Sequence, residues 1–262
     1  MTPTDIDTIT DTKLFTICSL VTNKDEYKQM VASFYAAGFT EDVAEFLYAD
    51  NSNQNKYDGF TGIKSFLTKA TGTYIILCHQ DILLSYDNID SLLSRIKELT
   101  LFDPNWAIAG NAGYKGLTNK AIRISDPYGA DVSIGQLPAQ VKSLDENFLL
   151  IRKDAQLSLS NDLNGFHFYG TDLCIIADVL GYNAYVIDFH LYHKSGGNCN
   201  ESFFTAKSRL ISKYQKALKN KFIRTTCTPL FLSKSKCLNF LLNKKIMISL
   251  KKRLETLNAK FF

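Results

Sequence analysis

Three apolar runs of strand length, each closing on polar residues, are spaced along the first 84 residues with a helical pattern in each gap. LFTICSLV (14–21) gives way to the polar turn TNKDE and a helical pattern from Tyr27 to Ala37. EFLYADNSN follows, ending in Asp50 and Asn51, and after it Gly62 to Ala70 reads as a helix. The third run, YIILCHQDILL (74–84), breaks abruptly at His79-Gln80-Asp81. Strand, helix, strand, helix, strand at this spacing predicts a parallel sheet wound right-handedly. Ligands of such sheets collect at the carboxyl ends of the strands, which gathers Thr22, Asp50 and Asp81 on one side.

The pattern continues with an amphipathic helix from Asn88 to Leu99 and a strand, WAIAGNAG (106–113), opening into a small-residue loop at Asn111. Residues 114–142, rich in Gly, Pro and Asp, read as loops or short antiparallel strands. LDENFLLIRKD supplies another strand, and FHFYGTDLCIIADVLG leads into a helix whose first turn holds Thr171 and Asp172 and whose stop is Gly181. AYVIDFHLYHKSGG is expected to form one final strand and its terminal loop. The fold class expected is therefore α/β, a mostly parallel mixed sheet flanked by helices.

Charge divides the chain. Residues 1–204 carry 15 Lys and Arg against 25 Asp and Glu, whereas 205–262 carry 15 against Glu255 alone. An acidic body (residues 1–204) followed by a basic, helical, amphipathic tail (205–262) is the domain organisation this predicts. A tail of this kind suits an anionic membrane surface, with a solvated basic helix packed on the body as the plainer alternative. Nucleic acid is disfavoured, because the acidic body would repel it. The polar, acidic N-terminus has no apolar secretory core, and no run is long enough to span a bilayer. Six cysteines (18, 78, 174, 199, 227 and 237) lack pairing or zinc spacing, and a cytoplasmic location is expected.

Side chains alternate along a strand, so His79 and Asp81 project to one side and can converge on a cation or a phosphate. His193, before Ser195-Gly196-Gly197, ends another strand and can complete a two-imidazole, one-carboxylate set that suits a divalent ion. The alternatives are a capped strand terminus and a surface histidine. Asp172 at a helix start is either a cap, a role Thr171 can also fill, or a general base above the sheet. Asp50 and Asn51 can read a base or ribose, or form a plain turn. The first strand is followed by no Gly-x-Gly-x-x-Gly, and the chain has no Walker loop, which disfavours dinucleotide oxidoreductases and P-loop enzymes.

Taken in order, ICSLVTN, LYADNSN, TGTYIILCHQDILL, WAIAGNAG, FLLIRKD, GFHFYGTDLCIIADVLGY and VIDFHLYHKSGG resemble the family-2-type glycosyltransferases of GT-A fold, in the bacterial branch with His-Gln-Asp in place of Asp-x-Asp. The resemblance implies a UDP- or GDP-linked sugar donor, a divalent metal (Mn2+ or Mg2+), and transfer to a hydroxyl of a glycan or lipid-linked acceptor in cell-surface polysaccharide synthesis. It implies a cytoplasmic site, peripheral at the inner face of the membrane. Asp81 would be the main metal ligand, with His193 beside it and His79 on the metal or the diphosphate. Asp172, preceded by Thr171 where the family has Glu, would be the base of an inverting reaction. Thr22, Asp50, Asn51, His79 and Asn111 would contact the nucleotide sugar. The alternatives are a nucleotidyltransferase of related topology and a nucleotide-sugar-binding module without turnover.

Overall fold

The computed structural model describes residues 13–196, 201–224, 226 and 228–258. The first 12 residues, Gly197, Cys199 and Cys227, which enter the leader, loop and cysteine readings, lie outside the described residues. The chain divides into two units, residues 1–207 and 208–262.

The first unit opens with β1 (Lys13–Val21), α1 (Lys24–Ala36), β2 (Ala44–Asp50), α2 (Gly59–Lys69) and β3 (Gly72–Cys78). The three strands are parallel, with β1 between its two partners. Each helix begins where a polar side chain takes up free N–H groups of the first turn: Asn23 for α1 and Asp58 for α2. Caps of this kind contribute roughly 1 kcal/mol each. At Gly72 a Cβ would lie 2.6 Å from the β1 backbone at Phe15 and Thr16, so β3 enters beside β1 only because the position has no side chain.

Next come β4 (Ile82–Leu83), α3 (Ile89–Phe102), β5 (Trp106–Gly110), β6 (Ala112–Tyr114), β7 (Lys120–Asp126), β8 (Gly129–Ile134), β9 (Ala139–Val141), β10 (Ser143–Leu144) and β11 (Phe148–Arg152). After α4 (Tyr169–Val179) follow β12 (Asn183–Val186), β13 (Tyr192–His193) and α5 (Glu201–Ala217), which crosses the unit boundary. A mixed seven-stranded sheet runs β2-β1-β3-β11-β5-β12-β9, with β11 antiparallel to both its neighbours. A second sheet runs β10-β6-β7-β13-β4, with β8 beside β7, so residues 114–142 do form short antiparallel strands. Phe15, Phe34, Phe39, Trp106 and Phe148 are fully buried between sheet and helices. Side chains of this size stabilise by about 1.5–3 kcal/mol each when removed from water.

Expected strands are divided between the two sheets: WAIAGNAG into β5 and β6, LDENFLLIRKD into the end of β10 and β11, and the final strand as well. The strand predicted from Ala184 onward leaves the large sheet after Val186, and residues 187–191 carry it across to the second sheet. Asp188 anchors the crossing: Arg123 donates to its carboxylate at 3.0 Å, and Arg95 Nε donates to its carbonyl at 3.0 Å. His193 thereby arrives opposite Ile82, one residue from Asp81.

The second unit holds the end of α5, a hairpin of β14 (Lys221–Arg224) and β15 (Pro229–Leu232), then α6 (Lys236–Leu242) and α7 (Lys245–Asn258). The tail thus contains a hairpin besides its helices. Among its described residues only Phe231 is a buried hydrophobe. No described helix is long and apolar enough to cross a membrane.

Candidate metal and nucleotide site

At the carboxyl end of β3 the backbone leaves the sheet through a turn, in which Ile82 N–H donates to the His79 carbonyl at 3.3 Å, and this turn into β4 carries both His79 and Asp81. Antiparallel pairing of β13 with β4 brings His193 to the same place, its Nε2 3.4 Å from Asp81 Oδ1. The ring centroids of His79 and His193 are 5.4 Å apart. One ligating atom from each of the three lies within 4.8 Å of the others. Asp81 and His193 are each 8% exposed, enough to meet a ligand while excluding most water.

The electrostatics suit a cation. Burial works to raise the Asp81 carboxyl, but hydrogen bonds from His193 and Ser195 and the imidazole charges outweigh it and hold the group well below the usual carboxylate range. Burial, aided by His193, lowers the His79 imidazole and favours the neutral ring, the form that has a lone pair to give. The Tyr169 hydroxyl fixes that ring, with its oxygen 3.1 Å from His79 Nε2 and donating to the Glu146 carbonyl at 3.3 Å. An ionised carboxylate with two imidazoles on one side fits a borderline divalent ion that keeps open positions for phosphate oxygens.

Beside the triad opens a cleft of about 300 Å³ lined by Thr22, Asn51, His79, Gln80, Asp81, Phe166, Tyr169 and Ser195 over a floor from β1, β3 and α2. Phe168, between the two aromatic wall residues, has a left-handed backbone with φ of 70°. A bulky residue rarely adopts this, and such strain costs roughly 1–3 kcal/mol unless surrounding structure holds it.

The expected site residues part company here. Thr22, Asn51, His79 and Asp81 line the cleft, and His193 closes the triad. Asn51, however, spends its amide on the Tyr57 backbone, donating to its carbonyl at 2.8 Å and accepting from its N–H at 3.2 Å. Asp50 is absent from the cleft lining. Its carboxylate is paired with Lys24 at 2.8 Å and accepts from Ser52, contacts that hold it far below the usual carboxylate range. Asn111 is fully buried, with both amide atoms unpartnered, and does not line the cleft either.

Asp172, read as a cap or a general base, is not among the residues that line the cleft. The residue is 0% exposed, and its two carboxylate oxygens accept from the Ser160 N–H at 2.8 Å and the Ser160 hydroxyl at 2.9 Å. Turned back on an irregular segment, it ties down the start of α4 instead of facing the cleft. Sequence reasoning missed Gln80, Tyr169, Phe166 and Ser195. For Gln80 the available signal was its place between two converging residues at the end of an apolar run.

This arrangement defines an α/β protein of GT-A fold with a candidate divalent-metal site at the carboxyl end of its third strand. Among solved structures it is similar to the mannosyltransferase PcManGT of Pyrobaculum calidifontis in complex with GDP-Man and Mn2+, with TM-score 0.51, 13% identity, and coverage of 78% of this chain and 64% of that one. It is also similar to S. aureus TarS 1-349 in complex with UDP, with TM-score 0.50, 10% identity, and coverage of 76% and 64%. The chain thus spans less than two thirds of either protein's length. No family model matches. A curated relative, "ATP synthase subunits region ORF 6" of Fuscovulum blasticum, is 41% identical over 211 residues, covering 78% of this chain and 85% of the relative. The chain belongs to the family of that protein.

Proposed function

We propose that the chain is a metal-dependent, inverting glycosyltransferase of the family-2 type, in the branch carrying His-Gln-Asp in place of Asp-x-Asp. It moves a sugar from a UDP- or GDP-linked donor to a hydroxyl of a glycan or lipid-linked acceptor in cell-surface polysaccharide synthesis. The observation that carries this reading is the convergence of His79, Asp81 and His193 on a cleft at the strand ends. The nucleotide ligands of the two solved neighbours support a nucleotide-sugar donor here as well.

Asp81 and His193 hold the divalent ion, Mn2+ or Mg2+, with His79 as third ligand or as a contact of the diphosphate. When bound, such an ion stabilises the negative charge that grows on the departing nucleoside diphosphate. The acceptor oxygen attacks the anomeric carbon opposite the phosphate, a carbon–oxygen bond forms, and the sugar–phosphate bond breaks with its electrons going to the diphosphate. As receiver of the proton we infer Asp145, an exposed carboxylate outside the residues that line the cleft but near enough for its charge to raise the basicity of His79. Its Oδ1 accepts from the Asn147 N–H at 3.0 Å and from Asn147 Nδ2 at 2.6 Å, which fixes the carboxylate on its loop.

Thermal-shift and transfer assays with a panel of UDP- and GDP-sugars, with and without Mn2+, test this reading. A donor is expected to raise Tm in an ion-dependent manner. Asp145→Asn should keep donor binding while transfer falls about 100-fold or more. A product that keeps the donor's anomeric configuration refutes the assigned chemistry, and the absence of any donor effect refutes the whole reading.

The C-terminal unit supports a place at the cytoplasmic membrane surface. Ile246, Leu250 and Leu254 fall one helical turn apart on α7 and are exposed, beside Lys244, Lys245 and Arg253. Co-sedimentation of the full chain with phosphatidylglycerol vesicles, and not with phosphatidylcholine alone, is the expected outcome. Equal binding to both or to neither rejects it.

A further inference from the structure

Gln80 points away from the ion-binding side of its own motif. Its Oε1 accepts from two backbone groups of the turn after β1, Thr22 N–H at 2.7 Å and Asn23 N–H at 2.9 Å. Two donors facing one atom require that atom to be the oxygen, which fixes the amide's orientation. Its nitrogen then donates to the Thr22 hydroxyl at 3.1 Å and to Glu26 Oε2, in the first turn of α1, at 3.0 Å. One side chain thus makes four hydrogen bonds, three to the β1–α1 connection and one to the first turn of α1, while its chain neighbours His79 and Asp81 belong to the triad.

The two N–H groups it occupies stand at the start of a helix, where unsatisfied donors and the helix dipole attract anions. Gln80 fills them with a neutral carbonyl. A phosphate arriving in the cleft therefore finds this turn closed and the triad open. The same bonds hold Thr22, a wall of the cleft, at a set distance from the triad.

We propose that Gln80 is a positioning residue that clasps the β1–α1 turn to the end of β3, so that a nucleoside diphosphate is directed onto the triad and gripped between it and the Thr22 wall. The proposal rests on the nucleotide-sugar reading above. Its partner is Glu26, because the amide nitrogen needs an acceptor there to keep its oxygen on the turn.

A charge swap in the full chain tests the clasp. Gln80→Glu sets two carboxylates against each other, and Glu26→Gln added to it restores a donor–acceptor pair of reversed polarity. Titration calorimetry follows Mn2+ alone, then UDP and GDP at saturating Mn2+, and amide exchange is read at Thr22 and Asn23. In Gln80→Glu the binding of Mn2+ alone should change less than about threefold, while diphosphate binding weakens about tenfold or more and the two amides exchange faster. The double variant should bring both readouts back to within about threefold of the original. Unchanged diphosphate affinity in Gln80→Glu, a parallel loss of Mn2+ binding, or failure of the double variant to recover overturns the clasp. If the unmodified chain binds neither diphosphate while its two amides are protected, the nucleotide-sugar reading itself falls and the positioning role falls with it.

Discussion

The end of β3 and the start of α4 each hold an acidic residue at an element end, and they use it in opposite ways. After β3, the Asp81 carboxylate accepts no backbone bond from the described residues; it meets His193 and Ser195 side chains, lines the cleft, and keeps a little exposure. At α4, Asp172 is sealed and bonded twice to Ser160, and Glu146 Oε1 accepts from the Gly170 N–H at 3.1 Å. Location at an element end is common to both regions. What separates them is unspent bonding capacity: a carboxylate already satisfied by backbone donors has nothing left to offer a ligand.

Substitution should break the two regions differently. Asp81→Asn keeps the size and much of the hydrogen bonding but removes the charge. Transfer should fall by about 1,000-fold or more, the Mn2+ dependence of donor binding should vanish, and Tm should move little. Retained Mn2+-dependent binding would show that the triad is not the ion site. Asp172→Asn is expected to do the reverse. Leaving Ser160 with one poor partner in a sealed place costs about 2–4 kcal/mol, read as a lower denaturation midpoint, while donor affinity measured on the folded fraction stays within about threefold. A stable Asp172→Asn chain without transfer activity would return the base role to this residue.

The contrast also marks what the sequence made legible. The order β1, α1, β2, α2, β3, α3, β5 followed from apolar runs and polar breaks, whereas β4 and β6, short strands of the second sheet, had no such signal. His79 and Asp81 were expected together by strand alternation, and a turn brings them together instead. Asp172 stayed open between cap and base because a carboxylate in a first helical turn can face outward or fold back, and its partner Ser160 lies in an irregular segment without periodicity. Alternation in VIDFHLYH continues smoothly through the point where the chain changes sheets. That crossing depends on Arg95 and Arg123, both distant in sequence from Asp188. Gln80 looked inert for a similar reason: its partners come from a turn more than 50 residues earlier.

The smallest effect sharpens the comparison on the α4 side. Burial pushes the Glu146 carboxyl up to about 8, against the opposing pull of the Gly170, Tyr169 and Phe168 N–H groups, although the residue as a whole is only half-buried. The folded chain therefore keeps a proton that the unfolded chain releases near the ordinary value of 4.5. Between those two values the folded state binds more protons than the unfolded one, so this group's contribution to stability declines as pH rises from about 4.5 to about 8 and is flat beyond. Glu146→Gln carries no proton to lose. Its Tm relative to the original chain should climb by a few degrees between pH 5.5 and pH 8.5, on the order of 1–2 kcal/mol of stability. A Glu146→Gln difference that is flat, or that shrinks toward pH 8.5, would mean that this carboxyl is ionised and solvated, and that the start of α4 keeps open bonding capacity after all.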